Sequence, residues 1–363
     1  MRITSYNVTD VSYHYIGLRV VAGLPSTARR EEQITTISHN ILKYVNDRAL
    51  RFMLPEPRGT FESIGEKVCQ ELVHFRFARL IRGAYELTDM GRYALDLLNQ
   101  KKHVELRRLM ITVHLQTYDN LRMVVQRHLE AGAIWQPIID AVQLGNEGYV
   151  RSLLAPTFGD ETASVYKEIV VSLQGANPKK TESLLRERIL QKIFPGDNVN
   201  VALFRALCDR LISLRLLNAR KVNQQGGDFL KNYSPCILNT PCYPWHVRLD
   251  VTLTTNDIFS LYLSEPDFTD EATLERLRKA IDEVFGMLTP HGGYYDLPEV
   301  RDTVCDQLKI PEAAFDEGMS RLLELTPSPL TTGLHYENIS ARRKPLARPG
   351  ESLQLYNLIR RSS

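Results

Sequence analysis

The stretch Arg79-Leu80-Ile81-Arg82-Gly83-Ala84-Tyr85-Glu86-Leu87-Thr88-Asp89-Met90-Gly91-Arg92 decides the fold. Residues 79–82 and 84–87 read as two short strands, and Gly83 between them supplies the tight turn of a β-hairpin. Thr88 follows as a helix N-cap, because its hydroxyl can accept from an amide of the first turn. The helix it starts carries Met90, Ala94, Leu95 and Leu98 as its apolar stripe.

Working outward, Ile34, Ile37, Ile41, Tyr44 and Val45 recur at helical spacing between about Arg29 and Leu50. Leu54-Pro55-Glu56-Pro57-Arg58-Gly59 is a loop. Thr60 can cap the next helix, which places Ile64, Val68 and Leu72 on one face. Residues 1–28 read as extended, because Ser5 to Tyr13 alternates polar with β-forming residues and Gly17 and Gly23 act as breaks. The order helix, helix, β-hairpin, helix resembles the layout of the winged-helix superfamily. Tyr85-Glu86-Leu87-Thr88-Asp89-Met90-Gly91-Arg92 is similar to the wing-exit segment of that superfamily, where Leu-Thr precedes a Gly-Arg helix start. The resemblance implies DNA recognition. The second helix would lie in the major groove and the wing would touch phosphates or the minor groove.

Residues 104–175 read as mostly helical, with Leu106, Leu109, Met110 and Val113 on one face and Leu121, Val124, His128 and Leu129 on another. A second copy of the layout follows. Thr181 begins a helix with Leu184, Leu185, Ile189 and Ile193, and Pro195 to Asn198 turns the chain. A helix from about Asn200 to Leu216 carries Leu203, Leu207, Leu211 and Leu214. Residues 217–222 and 229–233 then flank a Gly-rich hairpin turn. A third copy comprises one helix with Leu274, Leu277, Ile281, Val284 and Leu288, and a second with Val300, Val304 and Leu308. A third helix, with Pro311 in its first turn, bears Phe315, Leu322 and Leu323. Extended segments at Leu334–Ile339 and Leu353–Ile359 enclose a basic loop.

The expected fold is therefore mainly α with small β-hairpins (α+β), with tandem winged-helix domains joined by a helical connector. The expected domains are 1–103, 104–178, 179–250 and 251–363.

The chain has 363 residues, 43% hydrophobic and 24% charged, which is the balance of a folded globular protein rather than a disordered chain. No apolar run is long enough to span a membrane, and the start lacks a secretory apolar region, so no membrane association is expected. Five cysteines at irregular spacing read as reduced thiols of a cytoplasmic protein. Lys and Arg total 45 against 43 for Asp and Glu. The question is therefore where the charge sits, not how much there is.

Catalytic constellations are missing. There is no Walker-type phosphate loop, no Gly-x-Gly-x-x-Gly, no His-Glu-x-x-His and no Gly-x-Ser-x-Gly. Pro266-Asp267 lacks the acid-x-Lys partner of a restriction-type nuclease core. His103-Val104-Glu105 with Pro235-Cys236 and Cys242 departs from the spacing of a zinc deaminase. Cys236, Cys242 and His246 lack a second ligand pair, and the plainer reading is two buried cysteines near a loop histidine. His128, on an apolar helical face, reads as a core histidine. The expectation is a non-enzymatic protein with no cofactor and no metal.

The candidate DNA contacts lie in all three units. In the second, Arg205, Arg210 and Arg215 lie away from the leucine face, and Arg220, Lys221 and Lys231 sit on its hairpin. Such Arg side chains suit guanine edges, and wing Lys residues suit phosphates. In the third, Arg342, Arg343, Lys344 and Arg348 form a basic loop fit for a minor groove or backbone, and Arg360 and Arg361 follow in the tail. The third helix itself is acidic (Glu312, Asp316, Glu317, Glu324). In the first, Glu62, Glu66 and Glu71 lie early in the helix, and Arg76, Arg79 and Arg82 can touch backbone; Phe75 and Phe77 read as core.

The expected function is duplex-DNA recognition by a regulator or by a subunit of a DNA-processing or defence complex, with protein partners and oligomerisation both open. The alternative is a kleisin-like or scaffold subunit of an SMC-type complex that uses its winged helices for protein contacts. Fold analogy alone does not choose between them.

Overall fold

The computed structural model describes residues 8–25, 28–51, 63–131, 147–173, 201–221, 231–290, 292–333, 346–348, 354–356 and 358–362. Thr60, the helix expected from Thr181, residues 334–339 and Arg342, Arg343 and Lys344 lie outside them.

The first unit begins with a helix where an extended segment was expected. Helix α1 spans Ser12–Gly23, and α2 spans Arg30–Arg51. The correction has a packing cause. Val11, His14, Leu18 and Val21 recur at three- and four-residue steps and are all buried, so helical periodicity outweighs the β-preference of the valines and tyrosines. Gly17 marks where α1 presses on the next helix, α3 (Ile64–His74). A Cβ there would stand 2.8 Å from Val68 Cγ1 and 2.9 Å from Leu72 Cδ1.

After α3 comes the expected hairpin, with β1 at Ala78–Ile81 and β2 at Ala84–Leu87, paired antiparallel from Ala78↔Leu87 to Ile81↔Ala84. The turn pair Arg82-Gly83 has φ of 48° and 80°. Two positive φ values suit the right-handed twist of a two-residue hairpin. Helix α4 (Asp89–Asn99) then starts as expected, with the Thr88 hydroxyl accepting from the Gly91 amide at 3.1 Å.

The described residues of the connector form helices α5 (His103–Thr117), α6 (Asp119–Ala131), α7 (Glu147–Phe158) and α8 (Thr162–Leu173). Leu106, Met110, Val113, Leu121, Val124 and His128 are buried, as their spacing requires. Helix α9 (Val201–Ser213) buries Leu203, Leu207 and Leu211, and Leu214 just beyond it. The hairpin β3 (Leu217–Lys221) with β4 (Lys231–Pro235) follows, in register Leu217↔Pro235 to Lys221↔Lys231.

A second sheet lies where the sequence reading saw no element. Its strands β5 (Ile237–Leu238), β6 (His246–Thr254) and β7 (Asp257–Ser264) are ordered β5-β7-β6. The expected boundary at 250/251 falls inside β6. Ile237, Val251, Leu261 and Leu263 belong to the core that also holds Val8, Leu72, Met110 and Leu207, so this core is continuous from the first unit to the second sheet. The three proposed domains 1–103, 104–178 and 179–250 therefore share one interior.

A separate core runs from Trp245 to Ile359. It is built by α10 (Glu271–Met287), β8 (Tyr295–Asp296), α11 (Leu297–Leu308), α12 (Glu312–Glu324), β9 (Leu330–Gly333) and β12 (Leu358–Arg361). Strand β12 lies between β8 and β9 and is antiparallel to both. Between β9 and β12 the chain makes a further antiparallel pair, β10 (Leu346–Arg348) with β11 (Gln354–Tyr356). The two cores are joined by polar contacts. Asn218 Nδ2 donates to the Ile310 carbonyl at 2.8 Å and its Oδ1 accepts from the Glu312 amide at 3.0 Å, while Ser234 Oγ meets Asp306 at 2.6 Å. The architecture is mainly α with small antiparallel strand pairs.

Candidate nucleic-acid interface

The first hairpin presents Arg76, Arg79 and Arg82 to solvent. Its backbone is held from one side by α2. Buried Gln33 donates from Nε2 to the Tyr85 carbonyl at 2.9 Å and accepts from the Tyr85 amide at 2.7 Å, as another strand would, and the Arg30 amide donates to the Gly83 carbonyl. Arg79 stands across the strands from Glu86, 3.9 Å away, and Leu80 between the arginines is 51% exposed. The charge around this hairpin is mixed, because Glu31, Glu32 and Glu86 are also exposed.

In the second unit the three arginines read as one face separate. Arg205 is half-buried on α9 and Arg215 is exposed beyond its end, at φ 59°. Arg210 is buried, which corrects its placement on an exposed face. Its guanidinium grips Glu71 with two bonds, Nη1 to Oε2 at 3.0 Å and Nη2 to Oε1 at 2.9 Å, and Nη2 also donates to the Val8 carbonyl. It lies over the Tyr118 ring at 5.6 Å. The fork geometry of Arg against a carboxylate explains why a cation is tolerated here, since both charges are matched and hydrogen-bonded. A side chain so enclosed does not reach a base edge.

Around this pair the chain gathers residues that the sequence reading missed. His14 Nε2 lies 2.6 Å from Glu71 Oε2, and the His14 ring stands edge-on to His114 with centroids 5.4 Å apart. His114 Nδ1 lies 2.7 Å from the Met110 carbonyl, and its ring packs against Phe75. Burial alone would push the Glu71 carboxyl up; the Arg210 guanidinium and His14 more than offset that and hold it at about 2. Burial, reinforced by the Arg210 charge, takes His114 well below the usual histidine range, so it stays neutral. The partners come from α1, α3, α5 and α9 and from Val8 ahead of α1, with a bond that spans 202 residues, and no local spacing announces them. Glu71, read only as an acid early in its helix, is the centre of the cluster.

Arg220, Lys221 and Lys231 sit on β3 and β4, with Arg220 opposite Asn232 and Lys221 opposite Lys231. In the third unit, Arg348 ends β10 opposite Gln354, at the closed end of the β10–β11 pair. Arg360 lies over the Tyr294 ring at 4.8 Å, and Arg361 binds Asp282 at 2.8 Å. The acids of α12 are partly structural: Asp316 lies 3.2 Å from buried Arg301. Burial alone would lower that guanidinium, but Asp316, Glu312 and Asp302 raise it further.

The cysteine–histidine fragment resolves differently from the sequence reading. Cys236 is buried but Cys242 is exposed, and both are free thiols. His246 Nδ1 accepts from the amides of Cys242 at 3.0 Å and Tyr243 at 3.1 Å, so this nitrogen is committed to a turn. No cluster of three or more metal-ligating side chains occurs among the described residues. No described helix is long and apolar enough to cross a membrane.

In comparisons with protein-family models, curated proteins and solved structures, the chain matches none of them.

Proposed function

We propose that the protein binds duplex DNA without catalysing a reaction on it, through winged-helix units in tandem, as a regulator or as a subunit of a DNA-processing or defence complex. The observation that carries the reading is the element order of the second core. Helices α10, α11 and α12 are followed by β9 and β12, which leave and return antiparallel, with β8 completing the sheet. Helix, helix and then a returning strand pair is the layout on which the winged-helix resemblance rests, and the first unit repeats it with α2, α3, β1 and β2. In the second core, the connection between β9 and β12 carries Arg342, Arg343, Lys344 and Arg348, with Glu351 as its single carboxylate after position 340. A basic connection at the place of a wing suits phosphate and minor-groove contact.

The test is fluorescence anisotropy of a labelled random-sequence duplex over a salt series. It compares the full chain with a variant in which Arg342, Arg343, Lys344 and Arg348 are all alanine. Each phosphate contact adds roughly 0.9 to the slope of log K against log salt, so the variant should lose about three to four units of slope. Absence of binding by the wild type at low salt overturns the reading. The winged-helix units would then be contact modules of a scaffold subunit.

A further inference from the structure

The first hairpin has one covered edge and one open edge. Its turn is the pair Arg82-Gly83, so Ile81 and Ala84 close the ladder as a hydrogen-bonded pair. In an antiparallel ladder, hydrogen-bonded and non-hydrogen-bonded pairs alternate. Leu80↔Tyr85 and Ala78↔Leu87 are therefore the pairs whose backbone groups point away from each other. Bonds outside the ladder fit this phase. The Tyr85 amide and carbonyl are both taken by the Gln33 side chain on the outer side of β2. One step beyond the strands, the Thr88 amide donates to the Phe77 carbonyl at 3.0 Å, as the next hydrogen-bonded pair should.

The same phase turns the N–H and C=O of Leu80 outward on the far side of β1. Neither has a hydrogen-bond partner among the described residues. The Leu80 side chain shares a face with Ala78 and, across the strands, with Tyr85 and Leu87. Those three are buried, whereas Leu80 is 51% exposed. An apolar strip therefore runs from the core out to an edge where it is uncovered. Edge strands are ordinarily blunted by a charge, a proline or a covering element. On β2 the cover is Gln33; at Leu80 there is no such device.

Charge is sorted across the hairpin. From Leu72 to Tyr85 the chain has no carboxylate, and Arg76, Arg79 and Arg82 are all exposed. The exposed acids nearby belong to the other edge: Glu86 is on β2, and Glu31 and Glu32 are on α2 just ahead of Gln33. The open edge thus combines unpaired backbone groups, an uncovered leucine and arginines.

We propose that the outer edge of β1 takes an extended acidic segment of a partner protein as an added strand. The segment exchanges backbone hydrogen bonds with Leu80, lays an apolar side chain over the Leu80 side chain and brings carboxylates to Arg76, Arg79 and Arg82. Main-chain bonds supply the affinity, and the arginines select the charge of the partner. The inference does not rest on the duplex-binding reading; it assigns these three arginines to carboxylates instead of phosphates.

The experiment uses the full chain and a fluorescein-labelled peptide of alternating glutamate and valine, long enough to span β1, read by anisotropy. The comparison peptides carry lysine in place of glutamate, or N-methyl groups on the amides that face β1. Leu80→Pro removes the outward N–H and spares the β1–β2 ladder, to which that N–H does not belong. Leu80→Asp keeps the N–H and sets a like charge against the peptide, so it carries the test should Leu80→Pro not fold; thermal unfolding checks both. The wild type should bind the glutamate peptide, more weakly as salt rises. Each variant should bind it about three- to tenfold more weakly, and the comparison peptides should not bind. The Leu80 amide should exchange readily in the free chain and slow when the peptide binds. No binding of the glutamate peptide, equal binding of a comparison peptide, or a Leu80 amide already protected in the free chain overturns the inference. The labelled duplex is the second probe. Peptide binding without duplex binding keeps this edge and overturns the duplex reading. Duplex binding that weakens in Arg79→Gln, with no peptide binding, makes the hairpin a phosphate-contacting wing and overturns this inference alone.

Discussion

Replacing Arg210 by methionine tests whether this arginine belongs to the interior or to a DNA-facing surface. The substitution keeps an unbranched apolar stem and deletes the guanidinium. It removes both bonds to Glu71 and the bond to the Val8 carbonyl, and it leaves a carboxylate that is 6% exposed with its main counter-charge gone. Breaking one side of a buried ion pair costs about 3–5 kcal/mol. The carboxylate points the same way: burial pushes it up, and Arg210 and then His14 outweigh that and bring it from 4.5 to about 2 in the folded chain. The direction with pH follows from the same shift. A carboxyl depressed on folding contributes its full stability above about pH 4.5 and loses it as pH falls toward 2. Urea denaturation followed by far-UV circular dichroism should therefore show Arg210→Met less stable by about 3–5 kcal/mol at pH 7. The gap should narrow as pH is lowered through 4.5 toward 2. Adding Glu71→Gln to Arg210→Met should recover part of the loss, because the uncompensated charge is removed. If Arg210→Met costs under about 1 kcal/mol and instead weakens duplex binding, Arg210 is a surface ligand and the buried-pair argument is wrong.

Two further outcomes follow from backbone geometry. A Cβ at Gly91 would fall well inside van der Waals contact distance of the Phe77 carbonyl oxygen, so Gly91→Ala should cost about 3 kcal/mol by overpacking. Gly148→Ala on α7, where nothing lies within 4 Å, should instead add about 0.5–1 kcal/mol; thermal denaturation of both variants checks the contrast. Thr88→Ala removes the hydroxyl that accepts from the Gly91 amide and donates to the Arg76 carbonyl. It should cost about 1 kcal/mol, and an unchanged unfolding midpoint would show that α4 does not depend on its cap.

Local rules carried much of the architecture. The hairpin at Gly83, the Thr88 cap and the leucine stripe of α9 depend on residues within a few positions of one another, and each formed where its spacing placed it, with Arg82 moving from the strand into the turn. Residues 12–23 were misread because β-forming side chains and a helical burial period coincide there, and only the presence of α3 to pack against selects the helix. The β6–β7 sheet escaped notice although Val247, Leu249 and Val251 alternate with Arg248, Asp250 and Thr252. Its period was legible; its partner, the core shared with α5, was not. The site residues divide the same way. Arg76, Arg79, Arg82 and Arg215 are exposed, and a residue's tendency to be charged and solvated is written in its type. Whether a given arginine is the exception depends on what meets it. Arg210 is buried because Glu71 and His14 from other helices and the Val8 carbonyl ahead of α1 arrive around it, and Arg107 caps α9 because α5 crosses its end. Such meetings are set by chain closure over more than a hundred residues. They are a property of the packed interior, where desolvation makes every unmatched charge costly, and so they were decided by the tertiary structure alone.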